Sequence, residues 1–275
     1  MNVKTILREY DFKPKKRWGQ SFLVSEKIRD KIIELSAIKP EDIVLEIGPG
    51  LGILTGELIR CAKKVIAVEK DERLCQILRD LFGSHPNLKI ICNDILKLNL
   101  SDLMFPDKKL KVVANLPYYI TSPVIFHLFR AGNFIDSILL TVQKEVGQRL
   151  LARPGTRDYS AISVNVRFYS QPSSYGVIKK DAFYPRPRVD GSIIKLNLFK
   201  RPVIDVDKQE KFLRLVREAF AEKRKTILNS LTDSRYFGLT KKQWLDIFRK
   251  SQLDPARRAE TFRLEEFTRL FNNLG

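Results

Sequence analysis

Asn115-Leu116-Pro117-Tyr118 closes the apolar run Leu110 to Ala114, which reads as a buried strand ending in a pocket. These residue types suit the alkylation of an aromatic amine. Such an amine is a poor nucleophile because its lone pair is delocalised into the ring, and acceptors on its N–H bonds localise that pair. The Asn115 side-chain oxygen and the Leu116 carbonyl can each take one N–H, Pro117 stiffens the turn, and Tyr118 can stack on a base. A strand followed by a proline turn and a core tyrosine is the competing structural reading.

A second cluster lies upstream. Val44 to Gly52 (VLEIGPGLG) sets Gly48, Gly50 and Gly52 at the exit of the first strand, where backbone must approach a ligand closely. A dinucleotide fingerprint needs glycine three places after Gly50, where Ile53 stands, and a P-loop needs the missing Gly-Lys-Ser/Thr. An adenosyl cofactor without a pyrophosphate is left, and S-adenosylmethionine suits the loop. Glu69 closes the second strand 21 residues after Gly48, where a carboxylate can hold both ribose hydroxyls. Asp94 follows the third strand, placed to accept from an adenine amine with Ile95 packed on the ring. Taken singly, either acid is better read as a surface or capping group; in register with the glycine loop and Asn115, the two read as parts of one site.

The elements that must carry these residues alternate. A helix from a Ser25 cap, with Ile28, Ile32 and Leu35 on one face, ends before Pro40. Strands are expected at Ile43–Ile47, Lys64–Val68, Leu88–Cys92, Leu110–Ala114 and Ser137–Val142, with helices from about Thr55, through Leu74 to Leu81, and over Pro123–Arg130. The spacing predicts a doubly wound α/β sheet, with Ala161–Tyr169 and Ser192–Phe199 as a late strand pair closing seven strands. A polar stretch at Arg201–Asp207 marks an expected boundary between a catalytic domain, 1–203, and a helical domain, 204–275. From Phe212 one helix face carries Leu215, Val216, Ala219, Phe220 and Ile227, and the opposite arc carries Arg214, Arg217, Arg224 and Lys225. A merely solvated face is the alternative to RNA binding for that stripe. Residues 1–17 are expected to be a mobile basic arm.

The chain has 275 residues, 44% of them hydrophobic, which is ample for a core, and a net charge of +18, which points to a polyanionic partner. No apolar run reaches about 18 residues and no signal peptide is recognisable, so a cytoplasmic, non-membrane protein is expected. Cys61, Cys75 and Cys92 lack metal-ligand spacing and read as small core residues, with neither a disulfide nor a zinc site expected.

Longer matches extend the picture. Lys15 to Leu23 is similar to a KKxxGQNFL segment, with Ser21 in place of the Asn. Gln143-Lys144-Glu145-Val146, Arg149-Leu150 and Phe183-Tyr184-Pro185-Arg186-Pro187-Arg188-Val189-Asp190 follow in order. Arg224-Lys225-Thr226, Asn229-Ser230-Leu231 and Arg258-Ala259-Glu260 complete the series. Together with the glycine loop, the acids and the Asn115 tetrad, the chain resembles the KsgA (RsmA) family of ribosomal RNA adenine N6-dimethyltransferases. The resemblance implies a Rossmann-like seven-stranded S-adenosylmethionine-dependent methyltransferase sheet with a small helical domain. It implies cofactor contacts at Gln20, Ser21 and Leu23, stacking of the target base on Phe183, and no metal. The implied substrate is two adjacent adenosines in the 3′-terminal hairpin loop of small-subunit ribosomal RNA, each dimethylated, on an immature 30S particle met by a monomer. A large-subunit adenine dimethylase, or an assembly factor with vestigial activity, are the alternatives.

Overall fold

The computed structural model describes residues 2–15, 19–103, 105, 108–116, 120–200, 204 and 206–274. Val3, Ile6 and Leu7 recur at helical spacing among the basic residues, and they fold as α1 (Val3–Glu9), capped by Asn2. Their side chains are buried with Phe12, Phe22, Leu51, Leu74 and Ile77. The described part of the expected mobile arm is therefore packed, because its three apolar positions outweigh its charge. β1 (Phe22–Leu23) follows, then α2 (Glu26–Ser36), which the Ser25 hydroxyl caps and a left-handed Ala37 ends.

The α/β alternation then unrolls as expected. β2 (Ile43–Ile47), α3 (Thr55–Cys61), β3 (Lys64–Glu69), α4 (Glu72–Phe82), β4 (Leu88–Cys92), β5 (Leu110–Asn115), α5 (Thr121–Arg130) and β6 (Ile135–Gln143) build the parallel part of the sheet. All five residues of β2 are buried, as a strand covered on both faces requires. After α6 (Lys144–Leu151) comes a departure from expectation. Ala161–Tyr169 is α7, not a strand, and the following Ser170–Ile178 is β7. β8 (Phe183–Tyr184) pairs with β1 in a separate ribbon, and β9 (Gly191–Leu198) runs antiparallel to β6. The order β4-β3-β2-β5-β6-β9-β7 gives seven strands, and the connectivity reverses direction between β2 and β5. In such sheets ligands sit beyond the carboxyl ends of the strands at that reversal.

The chain packs as two compact units, 1–147 with 173–198 and 148–172 with 199–275. A single cut after residue 203 thus misses the segment 148–172, which joins the helical unit. Its α7 is buried on nearly every side, so its apolar residues show no helical period and their alternation mimics a strand. In that unit Phe168 stacks on Phe212 at 4.7 Å, and the buried Tyr159 hydroxyl donates to the Phe262 carbonyl at 2.8 Å. α8 (Val206–Ala219) ends before the expected stripe does. Thr226 caps α9 (Ile227–Asp233) by accepting from the Asn229 N–H, and the Ile227 N–H turns to the Arg257 carbonyl. α10 (Lys241–Lys250) and α11 (Leu264–Asn272) complete the unit.

Cys75 and Cys92 form a disulfide, contrary to expectation. Packing of α4 on the sheet brings their Cα atoms to 5.9 Å, inside the bonding range, and 17 residues of separation gave no hint of it. No described helix is long and apolar enough to cross a membrane.

Within β2, Glu46 is 1% exposed. Its Oε2 accepts the Thr55 hydroxyl at 2.7 Å, while its Oε1 has no partner among the described residues. Burial pushes this carboxyl from 4.5 to about 8. Between those values the folded chain keeps a proton that the unfolded chain has released. Stability of the ligand-free protein should therefore fall as pH rises through that window, by about 1.4 kcal/mol per unit from this group. Urea unfolding of wild type and Glu46→Gln at about pH 5 and about pH 7.5 checks it: the variant should lose visibly less between the two.

Candidate active site

Five strand ends converge on one pocket. Gly48 and Gly50 line it at the exit of β2, Glu69 at the end of β3, Asp94 and Ile95 after β4, Asn115 and Leu116 at the end of β5, and Thr141 near the end of β6. Gln20, Ser21 and Leu23 line a further wall and Phe183 another. Gly52 is not among the lining residues. Its φ is +81°, and an added Cβ would meet the Phe82 ring at 2.3 Å, so it serves the packing of α4 on the loop, not a ligand. Gly50, at φ +60°, would meet Phe22 at 3.0 Å. Tyr118 lies outside the described residues.

Glu69 is 8% exposed. Its Oε2 accepts the Gly50 N–H at 3.1 Å, and its Oε1 accepts those of Lys70 and Asp71 at 2.8 and 2.9 Å. Burial pushes its carboxyl up, against the pull of these backbone donors. Three bonds leave room on a carboxylate for a further donor. Asp94 lines the pocket, and its Oδ1 caps the Ile95–Lys97 turn through the Leu96 N–H at 3.0 Å, the capping role weighed for it. Burial raises its carboxyl, but the Lys70 ammonium at 2.8 Å and the Leu96 N–H outweigh that and hold it below the usual range.

Asn115 is half-buried, and its Oδ1 accepts the hydroxyl of Thr141, its register partner across β5 and β6. The Leu116 N–H donates to the Thr141 carbonyl at 3.4 Å. The wall from the amino terminus is tied down at Asp71, whose Oδ2 accepts from Gln20 Nε2 at 2.9 Å and Lys15 Nζ at 2.8 Å. The Ser21 hydroxyl does not point at the glycine loop; it donates to the Pro185 carbonyl at 2.6 Å.

Glu46, Thr141 and Lys70 are among the pocket residues that sequence reasoning missed. Glu46 is an acid inside an otherwise apolar buried strand, a signal that was there to read. Thr141 and Lys70 carry no such signal, since each is named only by what lies opposite it in space. Among the basic residues, Arg214 and Arg217 are on α8, whereas Arg224 and Lys225 are in the turn before α9, so the four do not form one helical stripe. Arg214 is bound to Glu218 at 2.7 Å and lies over the Tyr236 ring, and Lys225 is bound to Glu222 and Asp233 at 2.6 and 2.9 Å. Arg217 and Arg224 are exposed.

A family model described as ribosomal RNA adenine dimethylase matches residues 11–274. The chain is 38% identical over 276 residues to the ribosomal RNA small subunit methyltransferase A of Alkaliphilus oremlandii, which covers 99% of this chain and 96% of that one. It is 41% identical over 277 residues to the protein of the same name from Moorella thermoacetica, covering 98% and 95%. Among solved structures, a dimethyladenosine transferase from Plasmodium falciparum matches with a TM-score of 0.80 at 29% identity, over 92% of this chain and 98% of that one. The 23S rRNA methyltransferase ErmE matches with 0.68 at 26%, over 92% and 99%. The strand order, the pocket at its reversal and a family match that runs nearly end to end agree: the chain belongs to the ribosomal RNA adenine dimethylase family.

Proposed function

We propose that this protein transfers methyl groups from S-adenosylmethionine to the N6 amines of two adjacent adenosines in the 3′-terminal hairpin loop of small-subunit ribosomal RNA. The observation that carries the reading is the meeting of Asn115 and Leu116 with the Gly48–Gly50 loop and Phe183 around one pocket. The small-subunit assignment is supported by relatives of that name at 38% and 41% identity, against 26% for the large-subunit enzyme. A cytoplasmic monomer acting on an immature 30S particle, without a metal, fits this reading. No cluster of metal-ligating side chains is found among the described residues.

The residues present fit the cofactor. Glu46 Oε1 is buried at the pocket without a partner among the described residues, a site for a cationic donor, and Glu69 keeps acceptor capacity for one further hydroxyl. Gly48, at φ +69°, keeps the loop within reach of Asn115, whose carbonyl an added Cβ would meet at 3.3 Å. S-adenosylmethionine, when bound, supplies a methyl group activated by its sulfonium.

The chain's own part is positioning. Asn115 Oδ1, held by Thr141, and the Leu116 carbonyl accept the two N–H bonds of the adenine amine and localise its lone pair. Phe183, 7% exposed and packed in the pocket wall, is the ring this reading assigns to an unstacked base and, with the apolar walls, limits water. Incubating the protein with labelled S-adenosylmethionine and small-subunit particles, large-subunit particles or naked RNA, then mapping the labelled base, tests the whole reading. Label on the large subunit alone would overturn it, and particle binding without label would favour the assembly-factor alternative.

Asn115→Ala should reduce kcat by the equivalent of about 2–4 kcal/mol with cofactor affinity little changed, as single-turnover kinetics and calorimetry would show. Glu69→Ala should do the reverse, weakening S-adenosylmethionine by roughly 1–3 kcal/mol in calorimetry. For RNA docking, Arg217 and Arg224 are the stronger cations, because Lys225 and Arg214 already hold carboxylates. Replacing both Arg217 and Arg224 by Gln should flatten the log–log salt dependence of particle binding by about two units, with Lys225→Gln changing it much less.

A further inference from the structure

We propose that the Ser21 hydroxyl is a positioning group that couples the two binding events of this site, tying the wall that meets the cofactor to the segment that carries Phe183. The proposal rests on the reading of the pocket as a joint cofactor and adenine site.

The register of β1 and β8 pairs Phe22 with Tyr184 and Leu23 with Phe183, and the Val24 N–H donates to the Ala182 carbonyl at 2.8 Å. One step further, Ser21 falls opposite Pro185, which has no N–H to extend a ladder. A side chain continues it instead, since Ser21 Oγ donates to the Pro185 carbonyl at 2.6 Å. At its other end the segment is held by Gln20 Nε2 on Asp71 Oδ2 at 2.9 Å, and the Asp71 N–H donates to Glu69 Oε1 at 2.9 Å. The Phe22 ring closes against the Gly50 loop. A continuous path of hydrogen bonds and chain thus runs from the Glu69 carboxylate through Asp71, Gln20 and Ser21 to Pro185, two residues beyond Phe183.

A segment shared by two sites couples them when a ligand at one fixes it, because less ordering is left for the other ligand to impose. Cofactor bound at Glu69 and against residues 20–23 fixes β1. Through Ser21 it then fixes the turn after Phe183 in the position that receives the base. The short serine side chain has one donor, and that donor is used on the acceptor side, so its role differs from the cofactor contact expected of a longer amide at this position.

S-adenosylhomocysteine and small-subunit particles are the probes. In wild type, saturating S-adenosylhomocysteine should tighten particle binding on the order of tenfold, and particles should tighten S-adenosylhomocysteine by the same factor, since linkage is reciprocal. Ser21→Ala should bring that mutual factor close to one, the factor being a ratio taken within the variant and so independent of any change in its affinity for S-adenosylhomocysteine alone; Ser21→Thr, which keeps the hydroxyl, should keep the coupling. Should Ser21→Ala melt early, Ser21→Cys replaces it as a near-isosteric weak donor. Particle binding that is equal with and without S-adenosylhomocysteine in wild type, or coupling that survives in Ser21→Ala, overturns the link and leaves the substrate reading intact. Failure of the particles to bind at all overturns that reading and the link with it.

Discussion

Everything at the site depends on the parallel ladder β3-β2-β5-β6, whose strands end together beside the reversal of connectivity. A strand buried on both faces cannot carry polar side chains cheaply along its length, so its chemistry gathers at the carboxyl end and in the turn after it. Glu69, Asn115 and the Gly48 loop are therefore brought together by backbone registry: Ile47 pairs with Val68 and Ala114, one position before Gly48, Glu69 and Asn115 respectively. No side-chain contact between the three is needed to hold that spacing.

The pocket's polar groups are already engaged with the protein before any ligand is considered. Glu69 accepts from three backbone N–H groups, Asp94 from Lys70 and Leu96, and Asn115 from Thr141. Each bond fixes the direction of an acceptor while leaving lone pairs open, which is the form that preorganisation takes in a site built of carboxylates and amides. Glu46 is the exception. Its one unpartnered oxygen stands in a buried place that holds the carboxyl neutral up to about pH 8, and so it is the group most sensitive to a cation nearby.

The helical unit follows other rules. Its aromatic core, with Phe168, Phe212, Trp244, Phe262 and Phe267 buried, is assembled from two separate stretches of chain. Its cations do not make one stripe, since the turn between α8 and α9 takes Arg224 and Lys225 off the helix and neighbouring acids occupy Arg214 and Lys225. Net charge in the sequence thus overstates what is free to meet phosphate.

The sequence by itself determined whatever depends on short-range order. The glycine loop, the acid closing the second strand, the acid after the third and the Asn115 tetrad each sit at a strand end, and the period of the flanking apolar residues located those ends to within a residue or two. Only tertiary structure decided the rest. Ala161–Tyr169 alternates as a strand does, yet it is a helix; none of its residues is fully exposed, so no polar face marks a helical period. The amino-terminal residues pack because Phe22, Leu51 and Leu74 cover them, and Cys75 meets Cys92 because α4 lies on the sheet. Ser21 lines the pocket yet spends its hydroxyl on Pro185, 164 residues away, and Thr141 reaches Asn115 across a ladder. Contacts of that kind carry no local signature, because the partner is set by the path of the whole chain and not by neighbours in sequence.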